Sequence, residues 1–400
     1  MNLNMDNNPS VLKIKARYLT HPIISHPSVV FSCLWGLSLT LVSLKLVDAF
    51  SNHIDAAFIL FCLVVISNVI GAITAAIVCS NINFPVKKKP ISFLNVRKIF
   101  YIWLIVSVIE IFTANGLPIV WLLTGDSRTY ADFGLPTLHG FANAMWLFLS
   151  FAQFVKVIDE KFRPQELLIL LLLIFWPILV VSRALFTIWI LQISFYLLIS
   201  SPKKLRNIFL PNVALIIVFL YFFGIAGDLR SSFSITSSLG FDQEYVTLTA
   251  FLWAYAYIVS PLMNLALAWT TIQPSYHYFP ENMLSELMPN VVKNILGFDR
   301  TFEGFAVLTH DAFNAITAFG GAYYDWGPFG VSLMAFLIGL VGHFIWRGAR
   351  NSANLPLLAA YCACTALTIF TNQFTQLVPI VYMLMLAKLT TCKSYLVMRK

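Results

Sequence analysis

Along most of this chain, apolar positions neither alternate with polar ones nor recur every three or four residues. They run on in blocks. Ten blocks lie close to the ~20 residues an α-helix needs to cross a bilayer core: 29–47, 56–79, 99–123, 138–157, 167–182, 184–200, 208–226, 328–346, 355–370 and 377–389. Each is too long and unbroken for a barrel strand, so the pattern predicts helices apolar on all sides. An eleventh stretch, 245–271, carries no charge. If it crossed alone, every later loop would change sides, so it is read as re-entrant or lying along the interface, broken at Pro261. The alternative is a true eleventh span.

Composition agrees with the pattern. Of 400 residues, 59% are hydrophobic and 11% charged, against about 45–50% and about 25% in ordinary globular domains. This excludes a soluble enzyme, a disordered chain and a disulfide scaffold, and predicts an all-α polytopic integral membrane protein. The first 28 residues are polar and contain proline, so the first block is expected to remain as an anchor.

The net charge of +8 is set by topology rather than by an acidic partner. With the N-terminus in the cytoplasm and ten spans, all 26 basic residues face inside except Lys45, Arg128, Arg183, Arg230, Lys293 and Arg300. The acidic residues divide the other way. Only Asp6, Asp159, Glu160 and Glu166 lie inside, and Glu110 sits within a span. This is the positive-inside pattern, and it puts both termini in the cytoplasm. Three regions follow: a bundle of seven helices over 1–226, a large external loop over 227–327 containing 245–271, and three helices over 328–400. A loop of that length points to function.

The six cysteines lie within spans or at their cytoplasmic ends, the pattern of small buried hydrophobes. No Cys/His cluster has metal-ligand spacing, and no phosphate-binding loop, dinucleotide fingerprint, HExxH or GxSxG occurs. Neither a metal nor a cofactor is expected. The external arginines are more informative. Arg183 interrupts a continuous apolar stretch and is expected at the tip of a helical hairpin, and Arg230 sits at the outer end of the seventh block. At equal depth on one face they would form a fork for phosphate oxygens; singly, each would snorkel to headgroups. His139 and Asn143, four apart on the fourth helix capped by Thr137, face either the bundle or an outer cavity. His310, beside acidic groups late in the loop, has the ingredients of a general base. Asp325 lies before the eighth helix, as a second catalytic group or as its cap. Glu110 reads as a helix-joining acceptor, with no second buried acid or base beside it.

At YADFGLPTLHGFANA (130–144), SRA (182–184), GIAGDLRSS (224–232), YIVSPLMNL (257–265) and FNAITAFGGAYYDWGPFG (313–330), the chain resembles the Wzy-type O-antigen or polysaccharide repeat-unit polymerases, relatives of the O-antigen ligases. The resemblance implies a GT-C-like fold in the bacterial inner membrane and one large periplasmic loop. It implies transfer of a growing glycan from undecaprenyl diphosphate onto a new undecaprenyl-diphosphate-linked repeat unit, with a chain-length regulator as a membrane partner. Arg183 and Arg230, with Arg300 and Arg128, would bind the diphosphate; His310 would be the base; His139, Asn143, Asn314 and Tyr324 would contact the glycan. The ligases' histidine–asparagine pair reads here as Phe313-Asn314, with His310 upstream. Transfer to lipid A core, or flipping of a lipid-linked oligosaccharide, are the alternatives.

Overall fold

A computed structural model of the chain describes residues 19, 21–80, 96–159, 164–200, 235–240, 249–276, 278–284, 307–310, 313–352 and 355–389, with isolated positions at 210, 213, 214, 217, 221, 224, 227, 287, 288, 292 and 295. Among the described residues every regular element is helical and none is a strand. In order these are α1 (Pro27–Ser43), α2 (Ile54–Ser80), α3 (Val96–Thr113), α4 (Pro118–Thr124), α5 (Leu138–Asp159), α6 (Pro164–Leu179), α7 (Arg183–Ser200), α8 (Ile235–Ser238), α9 (Thr249–Thr271), α10 (Glu281–Leu284), α11 (Gly320–Ser352), α12 (Leu355–Ala366) and α13 (Leu377–Leu389).

Among the described residues six helical stretches are long and apolar enough to cross a membrane: Ile54–Ser80, Lys98–Thr124, Leu138–Ile158, Arg183–Ser200, Phe251–Thr271 and Gly320–Arg350. Helix α2 shows why the chain belongs in lipid. Ala57, Leu60, Val64 and Ala75 are buried, while Phe58, Ile66, Ile73 and Ile77 on the other face are more than half exposed. Water would penalise that outer face at about 25 cal/mol per Å²; acyl chains solvate it.

Small residues set the closest packing. A Cβ on Gly71 would stand 2.0 Å from the Phe336 carbonyl oxygen, and one on Gly339 would stand 2.0 Å from that of Asn68. The Asn68 amide donates to the Ala335 carbonyl at 3.2 Å. Helices α2 and α11 thus meet backbone to backbone, as lipid-embedded helices do when no hydrophobic effect drives them together.

Two apolar cores result. One joins α3, α5, α6, α7, α12 and α13 around Trp146, Phe148, Phe151 and Tyr196. The other joins α1, α2, α9, α11 and the segment at 313–319 around Phe31, Trp35 and Phe319. Chain direction fixes two ends. His26, before α1, meets His343 late in α11 at 3.1 Å, and Trp346 donates to the Pro22 carbonyl, so segments expected on the cytoplasmic side share one end. Helix α6 runs back between α5 and α7, which therefore both begin at the opposite end.

Several boundaries differ from expectation. The block at 99–123 is divided into α3 and α4 at Asn115–Gly116, both at positive φ, ahead of Pro118. Helix α11 begins eight residues before the expected 328, because Gly327 (φ 58, ψ −143) absorbs a kink that helical geometry cannot. The break expected at Pro261 is absent: α9 is one continuous helix through it. Proline is tolerated where neighbours re-satisfy the freed carbonyl. The block at 208–226 falls mostly outside the described residues.

Candidate functional site

Where α6 turns into α7, Val181 adopts φ 54 and Ser182 donates its N–H to the Pro177 carbonyl at 2.8 Å. This tight reversal makes Arg183 the first residue of α7, the hairpin tip expected of it. Its Nη2 donates to the Tyr257 hydroxyl at 3.3 Å, and its Cζ lies 5.8 Å from the centre of that ring.

Tyr257, on α9, is the hub of an aromatic cluster. Its ring centre is 5.7 Å from Trp253, 5.9 Å from Phe313 and 5.2 Å from Phe370. A Cβ on Gly227 would stand 2.7 Å from the Trp253 ring, so this glycine abuts the same cluster. Two turns on from Tyr257, buried Asn264 ties the late loop to α9. Its amide donates to the carbonyls of Phe313 and Ala315 at 2.9 and 2.8 Å, and its oxygen accepts from the N–H and hydroxyl of Thr309 at 2.8 and 2.7 Å. This staple sets the position of His310, half-buried with its ring 5.5 Å from Phe313. Asn314 is exposed beside it. Arg230 and Arg300 lie outside the described residues.

Arg128 does not fit its expected diphosphate role. Its Nε and Nη2 already grip both oxygens of Asp126 at 2.7–3.2 Å, its Nη1 donates to the Ala114 carbonyl, and its Cζ stacks 4.3 Å over Trp121. The hydrogen bonds from Arg128 hold the Asp126 carboxyl below its usual range. A phosphate would have to displace a carboxylate already bound to both arms of the fork.

Asp325 likewise serves the fold. Fully buried, it accepts from the Asn282 N–H (3.0 Å) and amide (2.7 Å) and from the Met283 N–H (2.8 Å). Of the two readings of this residue, the geometry supports a cap, though of α10 rather than of its own helix. Half-buried Tyr324 accepts from the Val307 N–H through its hydroxyl and from Ser275 through its carbonyl, which positions the loops around α11.

A second polar centre lies where α5 begins. Fully buried Glu110 faces His139, whose Nδ1 is 3.2 and 3.3 Å from the two carboxylate oxygens, and it also accepts from the Leu135 N–H. Sequence reasoning expected no second buried acid or base beside Glu110; the structure gives it a half-buried one, His139. The preceding loop is shaped to admit the imidazole. Gly134 has φ 96, and a Cβ there would stand 2.5 Å from the ring; Phe133 packs edge-on at 5.7 Å. Thr137 does not cap α5 as expected: at φ 70 its buried hydroxyl has no hydrogen-bond partner among the described residues, and neither has the buried Asn143 Oδ1.

Sequence reasoning assigned no role to Tyr257, Asn264 or Phe370. Tyr257 and Asn264 are seven apart, so they share a helical face; that spacing was the available signal. Among the described residues no group of three or more His, Cys, Asp or Glu side chains is placed to hold a metal. No protein-family model, curated protein or solved structure matches the chain.

Proposed function

We propose that this chain is a membrane glycosyltransferase that lengthens a polysaccharide by moving a glycan from a prenyl-diphosphate carrier onto a lipid-linked repeat unit, at the external face of the bacterial inner membrane. The observation that carries this reading is the convergence on Tyr257. The SRA, GIAGDLRSS, YIVSPLMNL and FNAITAFGG segments are far apart in sequence, yet Arg183, Gly227, Tyr257 and Phe313 meet in one cluster.

The chemistry follows from the groups present. Arg183 offers a planar guanidinium fork to phosphate oxygens. As the glycosidic C–O bond breaks, negative charge builds on the departing diphosphate. A fixed, half-buried guanidinium stabilises that charge more than water does, because it need not reorganise. Half-buried Tyr257 and Phe370 offer aromatic faces on which the apolar faces of sugar rings stack, buried Trp253 and Phe313 back them, and Asn264 keeps the late loop in register. The basic residues gathered at the opposite end agree with a cytoplasmic orientation for that end.

The test is genetic. Deleting the gene is expected to leave surface polysaccharide capped with a single repeat; loss of every repeat would point to export instead. Arg183→Ala is expected to reproduce the single-repeat phenotype at normal protein levels.

A further inference from the structure

We propose that Glu110 and His139 form a carboxylate–imidazole dyad whose free ring nitrogen takes the proton from the acceptor sugar hydroxyl. The inference rests on the glycosyltransferase reading above and assigns the base to α5 rather than to His310. Three observations carry it. First, a wholly buried carboxylate is spent on one imidazole, gripping Nδ1 from both oxygens and held in place by the Leu135 N–H. A side chain so placed fixes the tautomer with Nδ1–H toward the acid and stabilises the imidazolium that forms when Nε2 gains a proton. Second, the His139 side chain is 30% exposed, and its Nε2 makes no hydrogen bond within the described residues. The reactive nitrogen is thus the one left available. Third, polar groups flank the ring: Thr137 Oγ1, two residues before His139, and Asn143 Oδ1, one turn after it, are buried without a hydrogen-bond partner among the described residues. Buried polar atoms rarely go unbonded, and two of them flanking an exposed imidazole suit the hydroxyls of a sugar.

The loop is built for this ring. Only a glycine at 134 leaves room for it, since a Cβ would overlap the imidazole. The other charged groups at this end are engaged elsewhere: Asp126 with Arg128, and Asp132 with the N–H and hydroxyl of Thr129. Of the helices packed on α5, α13 brings Lys388 in its last turn, α6 Glu166 in its first and α3 Lys98 in its first, all at the far end, while α7 brings Arg183 at this end, where its Nη2 donates to the Tyr257 hydroxyl. Glu110 is the charged group in direct contact with His139.

The step balances without a co-reactant. The acceptor O–H proton moves to His139 Nε2 as its oxygen bonds to the donor's anomeric carbon. The bond from that carbon to the diphosphate oxygen breaks, and the pair leaves with the prenyl diphosphate. The imidazolium then returns its proton to external water. Glu110 is a positioning residue that never takes the proton.

The test uses membrane vesicles holding the full chain and, as probe, the single-repeat prenyl-diphosphate lipid extracted from cells lacking the gene. His139→Asn keeps an amide N–H where Nδ1 stood but removes Nε2, and is expected to slow extension at least ~10²-fold, the usual scale for a lost general base. Glu110→Gln is expected to slow it and to shift the acidic limb of the pH–rate profile to lower pH, because the imidazolium loses its counter-charge. An unmoved limb would reduce Glu110 to packing and overturn the dyad. Normal extension by His139→Asn alongside arrest by Arg183→Ala would sink the dyad and leave the transferase reading standing; no extension by wild type would sink the transferase reading itself. Should His139→Asn fail to accumulate, the Glu110→Gln profile decides alone.

Discussion

Opposite ends of the bundle each hold a histidine with a polar partner, and the partners differ in a way that sorts their roles. At the end where α5 begins, His139 faces a buried carboxylate. At the other end, His26 faces a second imidazole. Its Nδ1 accepts the Ser28 N–H, capping α1, so its Nε2 bears the proton and donates to His343 at 3.1 Å, with Trp346 edge-on at 4.9 Å. Burial, and secondarily the neighbouring His343, lower the pKa of His26 to about 4. In the proposed mechanism one ring gains and releases a proton; the other is a neutral pin between α1 and α11. The same side chain becomes chemistry or architecture according to what faces it.

The sharpest break of this comparison is functional. His139→Asn is expected to cut chain extension at least ~10²-fold, while His343→Asn leaves the rate per protein molecule unchanged, both measured on vesicles with protein quantified by blotting. Equal losses would erase the distinction. Next in size comes the packing that both ends depend on. Gly339→Leu places side-chain atoms where α2 backbone already lies and is expected to destabilise the protein by about 1–3 kcal/mol or more, read as a lower melting temperature in detergent. Asp325→Asn leaves one of three buried N–H donors facing an amide that cannot accept from all of them. It is expected to cost about 1–3 kcal/mol while leaving chain extension per molecule intact, which separates a cap from a catalytic acid.

The smallest effect concerns pH. Unfolded His26 titrates near 6.5 and folded His26 near about 4. Between those values the unfolded chain binds a proton that the folded chain does not, so stability falls as pH drops through this window and is regained as it rises. His26→Asn keeps a good cap for α1 and is expected to flatten that dependence in a melting series.

The membrane helices could be read from the sequence because lipid imposes its demand locally: a run such as 56–79 is apolar on every face, and no distant contact is needed to see it. Chain reversals were less legible. Pro261 looked like a break because a proline removes a hydrogen bond, but a helix buried on most sides by α1, α2 and the 313–319 segment holds its path regardless. The place of Arg183 at the α6–α7 turn was legible because a lone charge in an apolar run has few places to go. Arg128 was misassigned although its partner, Asp126, stood two residues away: the sequence showed a charge, not the fork already closed on it. The Glu110–His139 pair was hidden for a different reason. It spans the break between α3 and α4 and the loop before α5, and only the fold joins those segments.

The most direct test of the central claim is a mass balance on vesicles containing the full chain and the single-repeat prenyl-diphosphate lipid. Wild type is expected to release one prenyl diphosphate for each repeat added, and Arg183→Ala to do neither. Movement of intact lipid-linked oligosaccharide across the bilayer, with no new glycosidic bond and no released diphosphate, would contradict it.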